Sequence, residues 1–153
     1  MLLYIKISWN SLSYKEILIN INISQIKIKM EEEKKTGAAY MERRRQEIIS
    51  SKASDIEMIN SARLGTDDYD FNSVNIIKEG GQAIVFEIRC NIDGKKYAAK
   101  RLHYQIGSHL NSRNTQAEAE REIGCLRALN HPMVTGILDL IKDNYNFPCI
   151  IME

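Results

Sequence analysis

A pair of adjacent glycines, Gly80-Gly81, stands between two short strand-forming runs, and no other feature narrows the fold as much. Phe71–Lys78 precedes it and Ile84-Val85-Phe86-Glu87-Ile88 follows it, the second run being rich in β-branched and aromatic residues. A dinucleotide-binding unit needs a strand, a glycine loop and then a helix. Here a strand follows the loop, so the segment reads as a hairpin turning at Glu79-Gly80-Gly81-Gln82. Adjacent glycines permit backbone shapes closed to other residues and let a ligand approach closely. Such a turn can fold over phosphates and offer them backbone N–H groups. It is also common chemistry for a plain hairpin.

The pattern continues in the same style. Asn91-Ile92-Asp93-Gly94 is a tight connection with a favoured Asp-Gly pair, and Lys95–Leu102 reads as a third strand. A polar, irregular stretch from His103 to Asn114 leads to a helix that Thr115 can cap, with Glu118 completing a capping box. Ala119, Ile123, Leu126 and Leu129 then form one apolar stripe, and Asn130-His131-Pro132 ends the helix. Gly136–Ile141 and Cys149–Met152 read as two further strands around the turn Asp143-Asn144-Tyr145-Asn146. The expectation is an α+β fold over Tyr69–Glu153, with a five-stranded antiparallel sheet held to one main helix by Ile123, Leu126 and Leu129.

Upstream of Tyr69 the sequence changes character. Residues 1–29 are rich in Ile, Asn, Ser and Lys, and Ile17–Ile23 partly alternates with a strand-like period. They contain neither an apolar run long enough for a membrane span nor a secretory cleavage pattern. They are expected to be poorly ordered, or to lie outside the native coding sequence with translation starting at Met30. Residues 30–68 are expected to form a helical extension and linker. Glu31, Glu32 and Glu33 suit a helix N-terminus, Ala38–Glu47 is made of helix formers, Arg43-Arg44-Arg45 reads as a solvated helix face, and Gly65-Thr66-Asp67-Asp68 reads as the linker.

The 153 residues suit one domain. With 21 Lys and Arg against 20 Asp and Glu, the chain has no global attraction to nucleic acid or to an anionic membrane. Cys90, Cys125 and Cys149 are odd in number and widely separated, so a disulfide framework or a zinc site is not expected. His103, His109 and His131 also lack metal-ligand spacing. Reduced thiols fit a cytoplasmic or otherwise intracellular setting.

Two charged positions stand out in this frame. Lys100 ends the run Tyr97-Ala98-Ala99-Lys100, and strand alternation puts Ala98 and Lys100 on one face. A small residue beside a lysine leaves room for something flat and anionic. On the following helix Glu118, Glu120 and Glu122 are all candidates to meet that lysine, and Glu122 lies at the edge of the apolar stripe.

Taken in order, the glycine loop between strands, the valine after it, Ala-x-Lys on the third strand, Glu on the next helix and then His-Pro resemble the N-terminal lobe of eukaryotic-type protein kinases. The resemblance covers Tyr69 to Glu153. It implies that Lys78, Glu79, Gly80, Gly81, Gln82 and Ala83 form the loop that covers the phosphates of ATP, with Gly80 as the middle glycine. It implies that Val85 and Ala98 enclose adenine, that Lys100 binds the α- and β-phosphates, and that Glu122 pairs with Lys100. Met152 falls at the gatekeeper position and Glu153 at the first residue of the hinge that receives adenine.

The chain departs from the family in the loop, where Lys78 and Ala83 stand in place of the first and third glycines. The family's catalytic loop and its magnesium-binding Asn and Asp have no counterpart up to Glu153. The expectation is therefore the ATP-binding portion of a serine/threonine-type protein kinase, cut at the hinge, inactive alone and needing Mg2+ only in a complete domain. Its partners would be ATP and a protein substrate, with no nucleic acid and no membrane span. Two alternatives stand beside it: a pseudokinase-like interaction module without catalysis, and a small β-rich nucleotide-binding protein complete as it is.

Overall fold

The computed structural model describes residues 14–81, 83–129, 131 and 133–153. Gln82, Asn130, Pro132 and residues 1–13 lie outside the described residues. The chain divides into two compact units, Met1–Lys35 and Thr36–Glu153.

Helix α1 (Tyr14–Ser50) runs for 37 residues. It overrides the strand-like alternation at Ile17–Ile23 and leaves Glu31, Glu32 and Glu33 in its interior, away from the N-terminus expected for them. The alternation is short, and adding residues to an existing helix costs far less than nucleating one. Within the first unit Ile23, Ile26 and Ile28 are exposed. Among the described residues no helix is long and apolar enough to cross a membrane.

The second unit holds the remainder of α1, helix α2 (Asp55–Asn60), strands β1 (Arg63–Leu64), β2 (Tyr69–Glu79), β3 (Ala83–Cys90) and β4 (Lys96–Leu102), helix α3 (Arg113–Ala128), and strands β5 (Ile137–Lys142) and β6 (Pro148–Met152). The strands form one sheet in the order β1-β5-β6-β4-β3-β2. The fold is α+β as expected, but the sheet has six strands and is mixed, because β1 runs parallel to β5. Two residues carry no periodic pattern, so β1 could not be seen at the end of what reads as the helical extension, which α1 and α2 in fact cover only up to Asn60. The linker's Gly65 is itself part of this edge. Its N–H bonds to the carbonyl of Lys142 at 3.0 Å, and a Cβ there would stand 2.3 Å from Ile141 Cδ1.

Strand alternation sorts the core onto the two faces of the sheet. Phe86, Ile88, Ala99, Cys149 and Ile151 pack on one side with Tyr69 and with Met41 of α1. Leu102, Leu140 and Ile150 pack on the other with Ile48 of α1, Ile59 of α2, and Ala119 and Ile123 of α3.

Helix α3 begins one turn earlier than expected. Ser112 is its cap, accepting the Thr115 N–H at 3.0 Å, so the cap is not Thr115. The apolar stripe holds through Ala119, Ile123 and the partly buried Leu126. Leu129 departs from it, being extended at φ −86°, ψ 99° and 47% exposed. Once the backbone leaves helical angles, helical spacing no longer decides which way a side chain faces.

Candidate functional site

Lys100 and Glu122 meet. The amine Nζ lies 2.5 Å from Glu122 Oε1, and both side chains are about two-thirds or more buried. Sheet register explains the lysine's position. Lys100 stands opposite Val85 on one neighbouring strand and Ile150 on the other. Ile150 belongs to the cluster that contains Ile123 and Ala119, so this face of the sheet is the one α3 covers. The helix rests on Ala119 and Ile123, and Glu122 flanks that seam. Of the other candidate acids, Glu118 is exposed and Glu120 accepts from Gln116 Nε2 at 2.7 Å within its own helix.

The same register gathers the other expected residues. Lys78 is opposite Val85, and Ala98 is opposite Met152. Lys78, Val85, Lys100, Ala98 and Met152 therefore occupy two adjacent cross-strand rows on one face. Val85, Ala98 and Met152 are half-buried, while Lys78, Glu79 and Glu153 are exposed. One irregularity lies beside them. Ile76 pairs with Phe86 and Lys78 with Val85, so Ile77 is a bulged residue, 61% exposed. Bulges re-aim side chains at the ends of ladders, and no simple alternation pattern would have picked out Ile77.

The glycine turn is tight at its base and open above. Gly80 N–H donates to the Ala83 carbonyl at 3.0 Å, closing the β2–β3 ladder, and Ala83 packs against the α3-side core. His103 Nδ1 lies 2.9 Å from the Gly81 carbonyl and ties the turn to the end of β4. Sequence reasoning gave His103 no such role. Neither glycine adopts a positive φ. A Cβ on Gly81 would meet nothing within 4 Å, and one on Gly80 only the Ala83 carbonyl at 3.8 Å. The protein's own packing therefore does not require glycine at either place.

A cleft of about 360 Å³ opens beside this site, between the end of β4 and α3, lined by Leu102, His103, Tyr104, Glu118, Glu122 and Cys125 among others. It reaches Glu122 and His103, and its lining does not extend to Val85 or Ala98.

Two further polar clusters were not foreseen. Asp139, fully buried on β5, accepts from Arg44 Nε at 3.0 Å, from Arg63 Nη2 at 2.6 Å and from Tyr69 Oη at 3.1 Å. Arg44 also pairs with Glu47, and Arg63 with Asp68. The basic run at 43–45 is thus not simply a solvated face. Burial, followed by the nearby Asp139 carboxylate, pushes the Tyr69 hydroxyl well above its ordinary pKa. Burial and the hydrogen bond to Asp68 push Tyr40 up to about 12. A lone acid within Ile137-Leu138-Asp139-Leu140-Ile141 was the available clue, since a buried carboxylate needs partners. The second cluster centres on Arg127 in the last turn of α3, which binds the connector between α1 and α2.

No protein-family model matches the chain. Over 71 residues, 46% of the chain, it is 32% identical to a protein of Trypanosoma brucei brucei named Cell division control protein 2 homolog 2. The match covers 19% of that protein, so the chain spans about a fifth of the length of this curated relative.

Proposed function

We propose that Tyr69–Glu153 is the nucleotide-binding lobe of a protein kinase and that it seats ATP on the α3 side of the sheet. The observation that carries this reading is the contact of Lys100 with Glu122 in the same two rows as Val85, Ala98 and Met152. The partial likeness to a cell division control protein homolog supports it.

The residues present fit such a ligand. The Lys100 amine, held by the Glu122 carboxylate, would bind the α- and β-phosphates as a fixed point charge. The turn from Glu79 through Ala83 would cover the phosphates, and the open space over Gly81 leaves its backbone accessible to them. Val85 and Ala98 would enclose adenine, with Ile77 at the mouth, Met152 behind, and the backbone at Glu153 meeting the adenine edge. ATP bound there would supply a transferable γ-phosphoryl group, with serine or threonine hydroxyls of proteins as the acceptors. No residue of Tyr69–Glu153 matches the base or the magnesium ligands of the resembled family, so Mg2+ would be held only in a complete kinase domain. ATP as ligand would fit an intracellular setting.

Titration of the chain with a fluorescent ATP analogue tests this reading. Saturable binding displaced by ATP is expected, weakened about tenfold or more by Lys100→Met, since a lost charge-assisted contact is worth about 1.5–3 kcal/mol. Binding unchanged in Lys100→Met would reject the assigned role. Absence of nucleotide binding in the unmodified chain would favour the interaction-module alternative.

A further inference from the structure

We infer that the α1–α2 connector and the start of α2 form an intramolecular clamp that sets α3 in the register where Glu122 meets Lys100, with Arg127, Asp55 and Gly124 as its positioning residues. The meaning of that register for nucleotide binding rests on the function proposed above, whereas the clamp itself does not.

Three observations converge on it. First, the Arg127 guanidinium reaches across to the connector. It donates to the carbonyls of Ile48 at 3.2 Å, Ser51 at 2.6 Å and Ala53 at 3.1 Å, and to Asp55 Oδ1 at 2.5 Å. The first of these carbonyls lies near the C-terminus of α1, where backbone acceptors lack helical partners. One planar fork thus serves four acceptors, one more than the three N–H donors of a lysine could.

Second, α3 carries a glycine in its interior. Gly124 costs helix stability relative to alanine, yet a Cβ there would stand 2.6 Å from Asp55 Oδ2. Alanine would push against the carboxylate that Arg127 holds, so the glycine leaves room for the Asp55 carboxylate against α3. Third, the start of α2 is itself fixed. Ser54, the residue before Asp55, and Glu57, two residues after it, form a complete capping box, and Ile59 is fully buried in the same cluster as Ile123.

Arg127 and Gly124 lie on the helix that carries Glu122, within two turns of it. A helix moves as a near-rigid rod over that distance, so releasing its C-terminal half from the connector changes where Glu122 stands relative to β4. Arg127 touches neither Lys100 nor Glu122, and its effect is transmitted through the position of α3.

Zero-length carbodiimide crosslinking reads this register directly and requires no nucleotide. The reagent joins an amine to a carboxylate only where the two are in contact, so peptide mapping gives the yield of the Lys100–Glu122 amide. The Lys96–Glu87 pair, at 2.8 Å on the β3–β4 hairpin, serves as the internal control. Arg127→Ala and Arg127→Lys are each expected to lower the Lys100–Glu122 yield several-fold while the Lys96–Glu87 yield holds. Gly124→Ala removes no buried group and improves the intrinsic helix propensity of α3, so it carries the test should the arginine variants fail to fold. It is expected to give the same selective loss. An unchanged Lys100–Glu122 yield in Gly124→Ala, or a loss shared equally by the control pair, would overturn the clamp. A chain that bound no ATP would still give a decisive crosslink result, so failure of the proposed function and failure of the clamp are separable.

Discussion

Asp139 on β5 and Arg44 on α1 are joined through two guanidinium nitrogens, at 3.0 Å and 2.9 Å, although 95 residues separate them in sequence. With Arg63 on the other carboxylate oxygen, the pair fastens α1 and β1 to the edge of the sheet. Removing the acid leaves two arginines without their buried counter-charge, a change that typically costs about 3–5 kcal/mol. Asp139→Ala should therefore lower stability in urea denaturation by about that amount, and a loss below 1 kcal/mol would show that the network holds nothing together.

The two ends of the α3 stripe separate in the same assay. Ile123 is fully buried, and its truncation to alanine should cost about 2–5 kcal/mol through lost contacts and the cavity left behind. Leu129, nearly half exposed, should lose less than about 0.5 kcal/mol on the same change. Equal losses would mean that Leu129 packs as its spacing suggested.

Gly81→Ala separates the turn's structural needs from its proposed binding role. Its φ is not left-handed and the added methyl meets nothing within 4 Å, so stability should stay level or rise by up to about 1 kcal/mol. ATP affinity should fall, because the methyl would occupy the space through which phosphates approach the backbone. Unaltered affinity would reduce Gly80-Gly81 to an ordinary hairpin turn.

The capping box at Ser54 gives a pH signature. Hydrogen bonds from the Ser54 backbone and side chain hold the exposed Glu57 carboxyl below its ordinary pKa. A depressed folded-state pKa contributes stability above the unfolded value, and that contribution is lost as pH falls through the folded value. The Tm gap between the wild type and Glu57→Gln should be present at neutral pH and close in acid. A gap that widens in acid would contradict the assignment.

Much of this architecture was legible in the sequence because it depends on local chemistry. β-branched runs, the Asp93-Gly94 turn and the glycine pair located β2 to β6 within a few residues. Strand alternation correctly placed Ala98 with Lys100, and Glu122 proved to be the acid that meets that lysine. What escaped depends on tertiary context. Strand β1 is two residues laid against β5, Leu129 turns away once its backbone extends, and Ser112 takes the cap because α3 starts nearly two turns before its apolar stripe. The helix through Ile17–Ile23 shows a weak alternation yielding to helix propagation. The Arg127 and Asp139 clusters join residues 70 or more positions apart, beyond the reach of any local pattern.

The proposed seat for ATP on Lys100 is tested most directly with an ATP derivative bearing a reactive acyl group on its terminal phosphate, which acylates lysines lying beside bound phosphates. Peptide mapping should find the label concentrated on Lys100 and suppressed by excess unmodified ATP. Labelling spread over exposed lysines such as Lys52, Lys95 and Lys96, indifferent to added ATP, would contradict the account.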